Sequence, residues 1–233
     1  MACRDHVRHQ LGYAAFTPGP TPQPAIKANT VASASENAER AAALWRRATP
    51  ITGTIGENYL RNARGIRCVL PPTLRFIPPR AGHPPSVVSA YGIPTEPEPG
   101  ALDVTGMAVR AVHITRLHSD GASNVGKIML ASPAGLPIVV SPWTDSLGLI
   151  VCEGVEDALS AHEATGLPAW AAGSAGHMAK LAPVIPDWTN CVVIVEDGDN
   201  AGRRATRDLV AALASRNIPV EIIRVEETVN GRK

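Results

Sequence analysis

The chain has 233 residues, of which 45% are hydrophobic and 4% aromatic, and its formal net charge at pH 7 is +1. This length allows one large domain or two small ones, and the balanced charge gives no global support for nucleic-acid binding while leaving room for a local basic groove. None of the four cysteines forms a Cys-x-x-Cys pair and no signal or membrane-length apolar segment occurs, so we expect a cytoplasmic protein without a membrane partner.

Residues 1–32 are predicted to be a flexible Pro-rich segment. The run from Thr17 to Pro24 contains four prolines, which exclude a helix. Cys3, His6 and His9 offer three zinc-ligand types, but they have no partner cluster, so they are a weak zinc signal.

Residues 33–146 are predicted to be a smaller α+β subdomain with antiparallel strands. A helix is expected to start after Ser33 or Ser35 and to end before Pro50, and a second helix is expected over residues 55–63. Frequent Pro and Gly predict a loop over residues 71–100, interrupted only by a strand at 74–77. Further antiparallel strands are predicted within residues 107–117, 127–130 and 136–140.

Residues 121–128 nearly spell a phosphate-binding P-loop, with Gly126 and Lys127 in place. Ile128 stands where that motif needs a magnesium-binding hydroxyl, and a strand rather than a helix follows. The segment is therefore interpreted as the loop of a β-hairpin.

Residues 147–233 are predicted to form an α/β domain. Apolar strands alternate with helices, and continuous apolar runs such as 191–195 are typical of a parallel sheet covered on both faces.

Two acidic motifs follow strands of this predicted sheet. The first is Glu153-Gly154-x-x-Asp157 and the second contains Asp197 and Asp199. Parallel strands end at one edge of a sheet, so carboxylates there can share a divalent cation, and Mg²⁺ prefers such oxygen ligands. An alternative is that the acids only cap helices, whose N-termini favour negative charge.

Other residues near these motifs are candidates for binding substrate. The missing side chain of Gly154 would leave room for it, and the Gly173-Ser174 turn at a third strand end could cradle a phosphate. That turn is equally well interpreted as a plain βα turn, and the nearby Lys180 as a surface residue.

At these motifs the chain resembles the TOPRIM family, which is named for topoisomerases and primases. The pattern Asp197-Gly-Asp199-Asn-Ala-Gly202-Arg-Arg-Ala is similar to that family throughout. The resemblance covers about residues 147–225. It implies that Asp197 and Asp199 bind Mg²⁺ (or Mn²⁺), that Glu153 is a metal ligand or general acid/base, and that Asp157 and Gly202 are accessory.

A weaker resemblance to primase-like proteins of phages and plasmids extends upstream, over segments such as Tyr59-Leu60 and Arg64-Gly65-Ile66. It implies one wall of a nucleic-acid groove, with single-stranded DNA or RNA and nucleotides as partners. A helicase or a zinc-binding template-recognition module would come from elsewhere, since no Cys-x-x-Cys pair occurs. The candidate phosphate contacts are Arg64, Arg75, Arg110, Arg116, Lys127 and Arg203.

Three functions stay open from the sequence. The first is Mg²⁺-dependent primer synthesis of the primase type in DNA replication. The second is a TOPRIM nuclease that cleaves DNA or RNA at the same metal site. The third is a non-catalytic module that binds nucleic acid or a replication partner.

Overall fold

A computed structural model describes residues 33–144 and 147–224, which form two five-stranded sheets and a small two-stranded ribbon. The mixed α/β class predicted from the sequence is confirmed, with an antiparallel sheet preceding a largely parallel one. The predictions for residues 1–32, including Cys3, His6 and His9, concern a segment outside the described residues.

The first helix, α1, spans Ala34–Arg47. Of the two predicted caps, Ser33 is used: its Oγ accepts from the backbone N–H of Glu36 at 3.1 Å, and the Glu36 carboxylate accepts from the N–H of Ser33 at 2.6 Å. The second predicted helix is α2, Ile55–Asn58, which continues as a π-helical turn over Tyr59–Ala63.

The antiparallel sheet has the order β1-β2-β3-β6-β7, and β4 pairs with β5 in the ribbon. Residues 121–123 lie in the turn of the hairpin formed by β6 and β7, as expected, whereas residues 124–128 belong to its second strand, β7. The prediction of a loop around a single strand at 71–100 was wrong, because β3 also lies in this range and is a fully buried central strand. Its two valines favour a strand, but the prolines on either side led to the prediction of a loop. The strands are β1 Thr49–Pro50, β2 Leu74–Ile77, β3 Ser86–Ala90, β4 Thr95–Glu98, β5 Ala101–Asp103, β6 Val112–Leu117 and β7 Asn124–Leu130.

The second sheet has the order β12-β11-β9-β10-β8, in which only β8 runs antiparallel to its neighbour. The strands are β8 Ile138–Val139, β9 Gly148–Cys152, β10 Ala169–Ala171, β11 Cys191–Glu196 and β12 Val220–Arg224. The helices are α3 Val155–Thr165, α4 Ala175–Met178, which continues as a 3₁₀ turn over Ala179–Val184, and α5 Asn200–Ala214.

The assignment of residues 136–140 to the upstream antiparallel region was wrong. Val139 pairs with Trp170 of β10, so β8 is an edge strand of the second sheet. Local pattern predicts that a strand exists but not which strand it joins, because pairing depends on distant residues.

Side chains of the second sheet alternate between two apolar clusters. Leu149 and Val151 pack with Leu209 of α5, whereas Ile150 and Cys152 pack with α3 and with upstream residues such as Leu60. The two predicted subdomains therefore share a core, and the boundary at residue 146 stays a prediction. None of the helices in the described ranges has the length and apolar character to cross a bilayer.

Candidate functional site

The two acidic motifs follow neighbouring parallel strands. Ile194 of β11 lies opposite Val151 of β9, so both strands finish at the same edge of the sheet. Glu153 follows the end of β9 directly, and Asp197 follows the end of β11. Adjacent strands lie about 4.8 Å apart, which puts the two carboxylates above one sheet edge, as the sequence predicted.

These carboxylates act on one another electrostatically. Burial raises the pKa of Glu153, the negative charge of Asp197 raises it further, and the backbone N–H of Ala175 opposes both. Burial also raises the pKa of Asp197, followed by repulsion from Asp157 and Asp199. The structure thus brings all four predicted acids into one cluster of negative charge.

Asp199 also caps a helix. Its Oδ1 accepts a hydrogen bond from the backbone N–H of Gly202 at 2.7 Å, and it is the N-cap of α5. Asp157 is exposed in the first turn of α3, where an acid favours the helix dipole. The capping interpretation and the acidic cluster are therefore compatible, because no hydrogen bond from the described residues occupies the second carboxylate oxygen of Asp199.

Two glycines allow the acids to lie close to the backbone. A Cβ added at Gly154 would sit 2.1 Å from Oδ2 of Asp157, and one added at Gly202 would sit 2.7 Å from both Cβ and the carbonyl oxygen of Asp197. The space beside Gly154 is thus occupied by Asp157. A larger residue at either position would displace an acid of the cluster.

A divalent cation suits the chemistry of this donor set. The ligands are all oxygen, and the mutual repulsion that raises the pKa of Glu153 and Asp197 would be relieved by positive charge. Within residues 33–144 and 147–224, however, no three His, Cys, Asp or Glu side chains converge tightly enough to enclose an ion.

The Gly173-Ser174 turn, which follows β10, is connected to Glu153 by a backbone hydrogen bond. The N–H of Gly173 donates to the carbonyl oxygen of Glu153 at 2.8 Å. Ser174 is the N-cap residue of α4, but its side chain makes no capping hydrogen bond. Lys180 is exposed on the 3₁₀ turn, and its charge helps to lower the pKa of His177, which burial lowers most.

A hydrogen-bonded network joins the upstream region to the acidic cluster. Lys127 donates from Nζ to Oε2 of Glu156 at 2.8 Å, and the hydroxyl of Tyr59 donates to Oε1 at 3.0 Å. Arg64 donates from Nε to that hydroxyl at 2.7 Å. This network, through Glu156, holds Arg64 and Lys127 next to Asp157 of the first acidic motif. Both cations are predicted phosphate contacts.

Glu156 is the central residue of this network, and the sequence reasoning missed it. It is 8% exposed, and the charge and hydrogen bond of Lys127 overcome the effect of burial and lower its pKa. A signal existed: Glu156 lies three residues before the buried Leu159, which places a carboxylate on the apolar face of α3.

The other predicted phosphate contacts have different surroundings. Arg75 stacks over the Trp45 ring at 4.2 Å and donates to the Trp45 carbonyl oxygen. Arg110 is exposed and lines a depression beside α1, and Arg116 lies against Gly126 in the hairpin. Arg203 donates to the carbonyl oxygen of Gly198, directly at the second acidic motif.

Comparison with known proteins matches residues 148–230 to the Toprim domain family, and residues 35–137 to a family described as a domain of unknown function (DUF7146). No curated protein matches the chain.

Among solved structures, the chain is similar to the Aquifex aeolicus primase (zinc-binding and RNA polymerase domains), at 15% identity and a TM-score of 0.46, over 97% of this chain and 61% of that one. A DNA primase domain from Pseudomonas aeruginosa gives 14% identity and a TM-score of 0.37, over 73% of this chain and 51% of that one. This chain thus spans only 61% and 51% of the two primase chains.

Proposed function

We infer from the Toprim domain, which this chain carries over residues 148–230, that the protein catalyses Mg²⁺-dependent nucleotidyl transfer on nucleic acid, specifically primer synthesis of the primase type. The observation that carries this proposal is the mutual repulsion of Glu153 and Asp197 at adjacent strand ends. Carboxylates that repel one another at the carboxyl edge of a parallel sheet suit a site for a cation and a phosphate substrate.

Each acid has a distinct part in this proposal. Asp197 and the free oxygen of Asp199 would hold Mg²⁺, which Mn²⁺ could replace, with Glu153 as a third ligand or as the proton acceptor. The bound ion would neutralise charge that develops on the transferred phosphate. Glu153 would take the proton from the 3′ hydroxyl of the primer as that oxygen bonds to the α-phosphorus of the incoming nucleotide, and the bond from that phosphorus to pyrophosphate would break, releasing pyrophosphate.

The upstream cations would bind the phosphates of the incoming nucleotide. Burial and the neighbouring acids raise the pKa of Asp197, and the charge of Lys127 partly offsets that rise, so this charge reaches the acidic cluster. Arg64 is held on Tyr59, and the charges of Glu156 and Asp157 help to raise its pKa. Cations held beside a carboxylate site attract an anionic substrate. This attraction offsets the repulsion between the substrate and the acids.

The test is template-directed synthesis of short RNA or DNA from single-stranded templates with Mg²⁺ or Mn²⁺. We expect products with the wild type and none with Asp197→Ala. A helicase or zinc-binding module, which we propose as partners, would be supplied in a parallel reaction. Absence of product in every reaction would exclude primer synthesis.

The same preparations separate the other two functions. Cleavage of labelled DNA or RNA without nucleotides, lost in Asp197→Ala, would identify a nuclease. If Mg²⁺ and Mn²⁺ leave the melting temperature unchanged and Glu153→Gln alters no activity, the acids are structural and the protein is a binding module.

A further inference from the structure

A concave site adjoins the turn that carries Asp197 and Asp199. It is a groove of about 590 Å³ between α5 and β12, and Gly198, from the turn that carries Asp197 and Asp199, lies at its edge. Pockets of roughly 300–1,000 Å³ are typical of small-molecule sites. The groove therefore has the size to take one small ligand beside the proposed reaction centre.

The groove is positively charged. Arg203, Arg207 and Arg224 line it together with one acid, Glu196. Glu196 accepts from Nε of Arg224 at 3.0 Å, so the two remaining arginines give an excess of positive charge. Guanidinium groups bind phosphate through paired hydrogen bonds, which makes this rim suited to a phosphorylated ligand.

The interior of the groove combines an apolar strip with an unpaired hydroxyl. Val210 and Ile222 line it, and Ile222 is 42% exposed on the last strand. Thr206 also lines it, is 1% exposed, and its Oγ1 has no hydrogen-bond partner among the described residues. A buried hydroxyl without a partner is costly, and a ligand that bonds to it would remove that cost.

We propose that this groove binds a nucleoside phosphate, with the phosphate on Arg203 and Arg207, the base on Val210 and Ile222, and a polar ligand atom on Thr206. The ligand is either one unit of a nucleic-acid strand or a free nucleotide. This assignment rests on the proposed function for its choice of a nucleotide over other anions. It differs from the carboxylate site because it needs no metal ion.

Binding is measured by fluorescence anisotropy of a short labelled single strand, with chelator present and with the full chain carrying Asp197→Asn. Arg207→Glu is expected to raise the Kd about tenfold and to reduce the slope of log Kd against log salt by about one. Arg204→Glu is the matched control, because Arg204 is exposed on the same helix and does not line the groove. Equal losses in both variants would mean general attraction and would overturn the proposal.

A second pair of variants fills the groove without changing its charge. Ala211→Trp is expected to weaken binding about tenfold, whereas Ala214→Trp, at an exposed position outside the groove, leaves it unchanged. An Ala211→Trp variant that melts like wild type and binds like wild type would also overturn the proposal.

Competitors identify the source of the ligand. Displacement by a mononucleotide supports the groove with a free nucleotide as occupant, and displacement only by unlabelled oligonucleotide supports it with a strand as occupant. Polyglutamate that competes as well as the oligonucleotide would show an anionic peptide site and overturn the assignment.

Failure of this site and failure of the proposed function give different results. If the wild type synthesises primers but Arg207→Glu and Ala211→Trp bind normally, the groove assignment fails alone. If these variants lose binding while no preparation shows synthesis, the reaction assignment fails alone.

Discussion

The two sheets contribute opposite charges to the candidate site. The parallel sheet supplies the acids at its carboxyl edge, where Glu153 and Asp197 repel each other. The antiparallel region supplies the cations, Lys127 from β7 and Arg64 from the segment after α2, and Glu156 connects the regions as a buried anion. The acids occupy positions given by the fold of one sheet, whereas the cations depend on packing between the two regions.

The largest effect should come from the acids of the parallel sheet. Glu153→Gln and Asp197→Asn remove a charge each while keeping the shape, and we expect each to reduce primer synthesis by about 10³-fold or more. Rates are measured at saturating nucleotide, with thermal melting as the control for folding. A variant with more than a tenth of wild-type activity would remove that acid from the proposed chemistry.

The next effect should come from breaking the connection between the regions. Lys127→Met leaves the buried Glu156 carboxylate with the Tyr59 hydroxyl as its hydrogen-bond donor among the described residues. Because Lys127 is partly exposed, we expect a loss of about 1–2 kcal/mol in the free energy of unfolding. KM for nucleotide should rise about tenfold with a smaller change in kcat.

The double variant Lys127→Met with Glu156→Gln separates stability from binding. It should recover much of the lost stability, because no buried charge is left unpaired, while KM stays raised. Arg40→Met, at an exposed arginine of α1 that is not a predicted site residue, should change neither quantity. Chemical unfolding and steady-state kinetics measure both, and a normal KM in Lys127→Met would contradict the role of this cation.

A smaller effect concerns pH and metal. The pKa values of Glu153 and Asp197 are raised in the folded protein. At a pH between the ordinary carboxyl pKa of about 4 and these raised pKa values, the native state therefore binds more protons than the unfolded chain. The free energy of unfolding therefore falls as pH rises through that window. Glu156 has a lowered pKa in the folded protein, so its contribution to the free energy of unfolding increases as pH rises.

Comparison with Asp197→Asn isolates the acidic cluster from Glu156. The wild type should lose stability relative to Asp197→Asn as pH rises, and Mg²⁺ should restore it in the wild type alone. Melting temperatures across pH, with and without Mg²⁺, measure this difference. A difference that does not change with pH would show that the acids are not coupled.

The smallest effect should distinguish cations within the antiparallel region. Arg75→Met loses the stacking on Trp45 and should cost about 0.5–1 kcal/mol of stability, but it should leave nucleic-acid binding unchanged. Anisotropy and chemical unfolding on the same variant measure both quantities. Weakened binding would restore Arg75 as a phosphate contact.

The sequence predicted what is local and missed what depends on pairing. Glu153 and Asp197 could be placed because each follows an apolar strand directly, and parallel strands end at one edge. The strand that pairs with β8 could not be predicted, because no residue near 138–139 indicates that this strand pairs with β10. Glu156 was missed because its importance comes from Lys127, 29 residues away in the chain.

The edge strand β8 has a consequence for how the protein can be divided. Through Val139 and the neighbouring Ser141, this segment covers the outer edge of β10: the Ser141 hydroxyl accepts from the N–H of Ala169 at 2.8 Å. A fragment beginning at residue 147 would carry β10 as an uncovered edge and would lack the upstream half of its core. Such an edge is a template for pairing with other chains, so we expect this fragment to aggregate unless the residues that precede it are present.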